Sequence, residues 1–480
     1  MKTKAFALAI LIIMFCQLTQ GQQKVTINYG TELLPKLTIK RGNMFRAEVN
    51  STATQNSIAE YVEQGYPLYL GHRNYNEPSS LNGSCGKPAE FYIENGTIKF
   101  RLNPNMTALR AFAKTQNIQV FQQFNRVPLS ASFKDEKVEG EFDIFTFQQG
   151  WYRDGDVAKG RPDGLLPIPE QYEIFADVVS KYIIACDEAA GINSIWTGFD
   201  EIAHTLGFRV NQVNDAAREE NVRRYVEFFA PLAIKLKNAG KTIGGIQLNA
   251  ANAGQGLYEI ATSELKKRNA YIDYFTIQNY QGGDNNTKVL NRSRAALIDP
   301  YWANTKVFFN RYGYWAGMDS EIDQNNPRNT SREMVTFLNA EKIIVNNADI
   351  MYGYAIEANE FLDNKDKMLG QLGMFLNKMP EDRKQMTFDN VNMDGFSSAN
   401  DAVLTAIIWN KSGTLAFNNF KLQLNNLPIA LNTIAIRRGS GTVLSSVDSY
   451  QWDKINNTIS GIALNPYEFL LITIKKSDVL

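Results

Sequence analysis

Two carboxylates stand side by side at Asp200 and Glu201, directly after the apolar run Ile195-Trp196-Thr197-Gly198-Phe199. His204, one of only two histidines in the chain, follows three residues later. Acids at the abrupt end of a buried strand suit acid–base or nucleophilic chemistry, because the C-terminal ends of parallel strands open into a cleft. A plain strand end with solvated acids has the same look, so the pair gains weight only from its surroundings. Side chains alternate along a strand, so both carboxylates can face a cleft only if the turn has already begun. Glu201 is the expected acid, with Asp200 as its orienting hydrogen-bond partner and His204 holding Glu201 or a ligand hydroxyl.

Other strand-like runs end in the same kind of residue. His72 and Arg73 close one, Asn125 and Arg126 another, and Asn249 a third. Asn279 with Tyr280, and Arg311 with Tyr312, close two more, and Glu357 follows the last. Amides, acids and guanidinium groups can bond many hydroxyls, and Tyr280, Tyr312 and Trp315 offer flat faces for stacking. That set suits a sugar polymer. No serine pairs with His204 to suggest a triad, and no Cys/His cluster has metal-ligand spacing, so neither a metal nor an organic cofactor is expected.

The elements needed to position these groups alternate in order. Strand patterns at 44–49, 67–74, 118–126, 192–199, 242–249, 271–280, 306–312 and 349–356 are each followed by a helical pattern. Eight strand-then-helix units predict an α/β fold, a (β/α)8 TIM barrel. An open doubly wound sheet would also fit the alternation, but no Gly-rich phosphate loop follows the first strand. After about residue 385 the pattern changes to short alternating strands at 404–410, 417–427, 430–438, 442–449, 458–464 and 469–474. These predict a small all-β sandwich. The expected division is 1–21 leader, 22–385 barrel and 386–480 sandwich.

Lys2 and Lys4 precede the apolar run 5–15, and small residues near Gly21 offer a cleavage point, as in an export signal. Export to the periplasm or the exterior is therefore expected. Phe15 before Cys16 fits a lipid-anchor signal poorly, and no other segment could span a bilayer. The 50 basic and 50 acidic residues cancel, which argues against a nucleic-acid partner held by bulk charge. Aromatic residues make up 11% of the chain, as suits either sugar stacking or an aromatic core. Cys186 is expected as a buried apolar residue, and a bridge to Cys85 has no support from spacing.

The stretch Glu201-Ile202-Ala203-His204-Thr205-Leu206-Gly207 resembles the fourth-strand motif of retaining glycosidases of the large (β/α)8 clan. Within that clan it is most similar to glycoside hydrolase family 86, the β-agarases and β-porphyranases. Residues 122–128, 275–280 and the pair Trp409-Asn410 fit the same scheme. The resemblance implies hydrolysis of a polysaccharide, with Glu201 as acid/base. It also implies a nucleophilic Glu on the seventh strand, directly before an aromatic residue and Gly. Here that pair is Tyr312-Gly313, and the preceding residue is Arg311. A guanidinium stays protonated and accepts nothing, so it cannot be the nucleophile. Three readings follow: Glu357 supplies the second carboxylate, Arg311 binds an anionic sugar group in a site that holds without cutting, or the strand register differs.

Overall fold

The computed structural model describes residues 23–45, 52–63, 68–74, 91–94, 97–124, 169–199, 215–249, 256–279, 283–313, 330–356 and 367–477. The chain divides into two compact units, one of residues 39–321 with 350–363, the other of 1–38, 322–349 and 364–480. Strand β1 (Lys24–Leu33) belongs to the second unit. The first unit holds β2 (Lys40–Phe45), β3 (Leu68–Asn74), the short hairpin β4 (Phe91–Glu94) and β5 (Thr97–Phe100), and β6 (Gln119–Phe124). It continues with β7 (Ile195–Phe199), β8 (Thr242–Asn249), β9 (Tyr274–Asn279), β10 (Lys306–Tyr312) and β11 (Met351–Ile356).

The hairpin apart, these strands close into an eight-stranded parallel barrel in chain order, with β11 pairing back onto β2. The fold is the expected α/β barrel. Its strands read as near-continuous apolar runs because parallel strands are covered on both faces. The seam needs Gly353. A Cβ there would meet the carbonyl oxygen of Lys40 at 2.0 Å, so only glycine lets β11 approach β2 this closely.

Helices α1 (Thr52–Glu63), α2 (Pro104–Thr115), α3 (Tyr172–Ala190), α4 (Asp215–Asn238), α5 (Leu257–Lys267) and α6 (Gly283–Leu297) alternate with the strands. Pro104 opens α2 at the first turn, where its missing N–H costs nothing, and Asn103 caps it by accepting from the N–H groups of Asn105 and Met106. Aromatic side chains fasten β7 to the helices. Trp196 stacks on Phe229 at 5.6 Å, and Phe199 packs against Phe175 and Phe228. Cys186 on α3 is buried, as expected.

The second unit is built on a ten-stranded sheet. It adds β12 (Arg383–Phe388), β13 (Met393–Ala399), β14 (Val403–Asn410), β15 (Phe417–Asn425) and β16 (Thr433–Ser440). The series ends with β17 (Val443–Ser446), β18 (Gln451–Asp453), β19 (Thr458–Leu464) and β20 (Phe469–Lys475). Alternate residues of β14, β15, β19 and β20 (Leu404, Ala406 and Ile408; Phe420 and Leu422; Ile462 and Leu464; Leu470 and Ile472) share one core, as the facing layers of a sandwich do. β1 lies inside this sheet, antiparallel to β12 and parallel to β15, although its residues come more than 340 positions earlier. Helices α7 (Ser331–Val345) and α8 (Met368–Asn377), which follow the seventh and eighth barrel strands in sequence, fall in this unit too. A capping box between Thr330 and Glu333 starts α7. Asn339 of α7 accepts from the Trp409 indole at 2.8 Å, and Lys342 pairs with Asp394.

Candidate active site at the C-terminal mouth of the barrel

The barrel interior changes character along its axis. Phe121, Ile195, Phe308 and Ala355 pack together low in the lumen, with Tyr274 and Tyr352 against them. Burial pushes the Tyr274 hydroxyl pKa far up, with Tyr352 and Asp273 adding to the effect. Two residues further along three of these strands come Gln123, Thr197 and Thr276, and then Gln278. Period-two alternation puts them on the same lumenal face. All are buried, and all are neutral amides or hydroxyls. The lumen thus turns from hydrocarbon to hydrogen-bonding groups toward the strand ends where barrel enzymes carry their chemistry.

The outward faces of the same strands are anchored separately. Gln122 donates to Asp187 Oδ1 at 3.1 Å and to Ser194 Oγ at 2.9 Å, and accepts from Arg110. Lys241 pairs with the fully buried Asp187 at 2.7 Å. This network ties β6, β7 and the start of β8 to α2 and α3.

Three strands each carry one extra residue near the mouth. Between the pairs Gln122↔Trp196 and Phe124↔Phe199, β6 advances two residues and β7 three. Gly198 takes φ +87 there, which suits glycine alone. On β8 the extra residue falls at Ile246-Gln247, both at positive φ (75° and 48°). On β10 it falls between Phe308 and Arg311. Bulges of this kind re-aim side chains next to active sites. After them, Asn249 of β8 and Arg311 of β10 both come into register with lumenal Gln278 of β9.

The expected site residues divide into three groups. Asp200, Glu201, His204, Asn125, Arg126, Tyr280, Trp315 and Glu357 lie outside the described residues. For four others the backbone register is informative. Arg73 is aligned with lumenal Gln123, whereas His72 is aligned with outward-facing Gln122. Asn249 and Arg311 share the register of Gln278, as above.

The third group is Asn279 and Tyr312. Both are fully buried. Asn286 of α6 bonds to the Asn279 amide and donates to the Tyr312 hydroxyl at 3.1 Å, so both side chains face the helix. The Tyr312 ring stacks on Phe309 at 5.7 Å and lies 5.0 Å from the Tyr354 ring. The residues that do occupy the described upper lumen, Gln123, Gln247, Thr276 and Gln278, were passed over. Gln123 lay in a noted strand end, but strand phase, not residue type, was the signal that singled it out. Its amide nitrogen and oxygen have no hydrogen-bond partner among the described residues, and neither do those of buried Asn310. No group of three or more potential metal ligands occurs among the described residues.

The sequence matches no family profile and none of the curated proteins searched. Solved structures do match. A family 30 endoxylanase from Clostridium papyrosolvens aligns over 94% of this chain and 100% of its own, with a TM-score of 0.54 at 12% identity. A family 44 xyloglucanase from Paenibacillus polymyxa, with xyloglucan, aligns over 95% and 100% at TM-score 0.53 and 10% identity. A family 86 protein in complex with neoagarooctaose aligns over 95% of this chain and 78% of its own, at TM-score 0.56 and 11% identity. At such identities the likeness is one of fold. The fold is that of the barrel glycoside hydrolases, and family 86 is one of several families that share it.

Proposed function

We propose that the protein is an exported, endo-acting glycoside hydrolase that cuts an extracellular polysaccharide, with galactans such as agarose or porphyran as the first candidates. Glu201 is its general acid/base and Glu357 its second carboxylate. One observation carries this reading. Glu201 follows the last residue of β7 by two positions and Glu357 follows β11 directly, so the two acids come just past the C-terminal ends of the fourth and eighth strands of a closed parallel barrel. Glycoside hydrolysis needs such a pair: one group protonates the leaving oxygen, and the other attacks the anomeric carbon or activates water. The polar upper lumen and the fold shared with xylan-, xyloglucan- and agaro-oligosaccharide-associated proteins support the same reading. The motif at 201–207 favours the family 86 type of substrate.

A second reading has its own support. Arg311 stands in the register of lumenal Gln278, on the strand where the clan's nucleophile is expected. There it can neutralise a sulfate or carboxylate on a sugar, and the site then binds glycan without cutting it. Reducing-end release from agarose and porphyran separates the two, with Glu201→Gln and Glu357→Gln as controls. Release abolished by both substitutions supports hydrolysis. Binding without release from a broad glycan panel would overturn it.

A further inference from the structure

The backbone ladder between β7 and β8 stops at Trp196↔Ile243. Beyond it the two strands are joined through side chains. The carbonyl of Thr197, next to the Gly198 bulge, accepts from Gln247 Nε2 at 2.5 Å and from Thr276 Oγ1 at 3.3 Å. Gln247 is in turn held by Gln278, whose Nε2 donates to its Oε1 at 3.3 Å. The single Thr276 hydroxyl proton is shared with the Gly245 carbonyl, which lies nearer at 2.9 Å. Gly244 makes the room, since a Cβ there would collide with the Thr276 methyl at 2.3 Å.

The backbone that presents Gln247 is strained. Ile246 and Gln247 both have positive φ, a conformation that is rare for a β-branched residue. Such strain persists only where surrounding structure enforces it, and it gathers at functional sites. Here it lets a fully buried amide reach across to the strand that runs into Asp200 and Glu201.

We infer that Gln247 is a positioning residue. By holding the Thr197 carbonyl it fixes the bulged end of β7 and so the approach of the chain to Glu201. The inference rests on the proposed role of Glu201, but it has a consequence that can be measured without catalysis. Gln247→Met keeps length and apolar fit but removes the donor. Thr276→Val removes the second donor to the same carbonyl and serves if the first variant folds poorly.

The test pairs steady-state kinetics on agarose and porphyran with hydrogen–deuterium exchange of the folded protein. Expected are faster exchange confined to residues 195–207 and a fall in kcat of about tenfold to a hundredfold, with KM little changed, since small misplacements near the chemistry carry losses of that order. Unchanged exchange in that segment, or exchange raised across the whole barrel, would overturn the inference. Faster local exchange with an unchanged kcat would also overturn it, because the segment would then not govern the acid. Should the wild-type protein cleave nothing while the local exchange change appears, the clamp stands and the hydrolase reading falls.

Discussion

Trp196 and Phe199 lie three residues apart on one strand, yet their rings meet edge to face at 5.6 Å and both pack on α4. In a regular strand, residues at that spacing point to opposite faces. The Gly198 bulge resets the phase, so the strand enters Asp200 and Glu201 one step out of its starting alternation.

Gly198→Ala should therefore be costly. A Cβ would stand 3.4 Å from Gln247 Cγ, and φ +87 disfavours any L side chain. A loss of about 1–2 kcal/mol in urea denaturation is expected. A variant as stable as wild type would mean that the strand runs regularly there.

Removing the Gln123 amide should cost nothing. It is fully buried and neither of its polar atoms is bonded to a described residue. Leaving a buried polar group unmatched costs roughly 1–3 kcal/mol, so Gln123→Leu should hold or raise the melting temperature. A marked drop would reveal a bonding partner for the amide.

Asn286→Ala tests whether Asn279 and Tyr312 serve the helix or the substrate. It takes one hydrogen bond from each of two buried polar groups, and a destabilisation of about 1–3 kcal/mol is expected. With both side chains engaged by α6, the KM for glycan should stay the same. A raised KM in a fully folded variant would place Asn279 or Tyr312 at the substrate.

Glu264 should make the barrel acid-sensitive. Bonds from Lys267 and Arg268 hold its carboxyl below the ordinary 4.5, against the opposing effect of burial. A depressed folded pKa gives stability that is complete above the unfolded value and lost as pH falls through the folded one. Wild type should thus lose stability below about pH 4.3 more steeply than Glu264→Gln. Parallel curves for the two proteins would remove Glu264 from that role.

The barrel was legible because its strands are apolar runs with polar ends, and 242–249 and 306–312 were placed to the residue. The side-chain phase within them was not. Thr-Ile-Gly-Gly-Ile-Gln-Leu-Asn gives no sign that Ile246 and Gln247 adopt positive φ, since that conformation is imposed by neighbouring strands. Gly198 was a readable warning, because a lone glycine in a strand often marks a bulge. Asn279 and Tyr312 read as ligand contacts by type, and nothing in residue type shows that Asn286, seven residues beyond Asn279, bonds to both. β12, with the sequence Arg-Lys-Gln-Met-Thr-Phe, lacks the apolar content that signals a strand.

The place of β1 also governs the order of assembly. Among the described residues it is the strand that joins the β12 and β15 halves of the ten-stranded sheet, so without it that sheet is cut in two. This strand is made more than 340 residues before β12 and β15 and must wait for them. Closing so long a span is slow, and until then three sets of backbone donors and acceptors stand open. A fragment of residues 380–480, which keeps β12 whole, should therefore aggregate through those bare edges, and a peptide of residues 23–35 added in trans should suppress it.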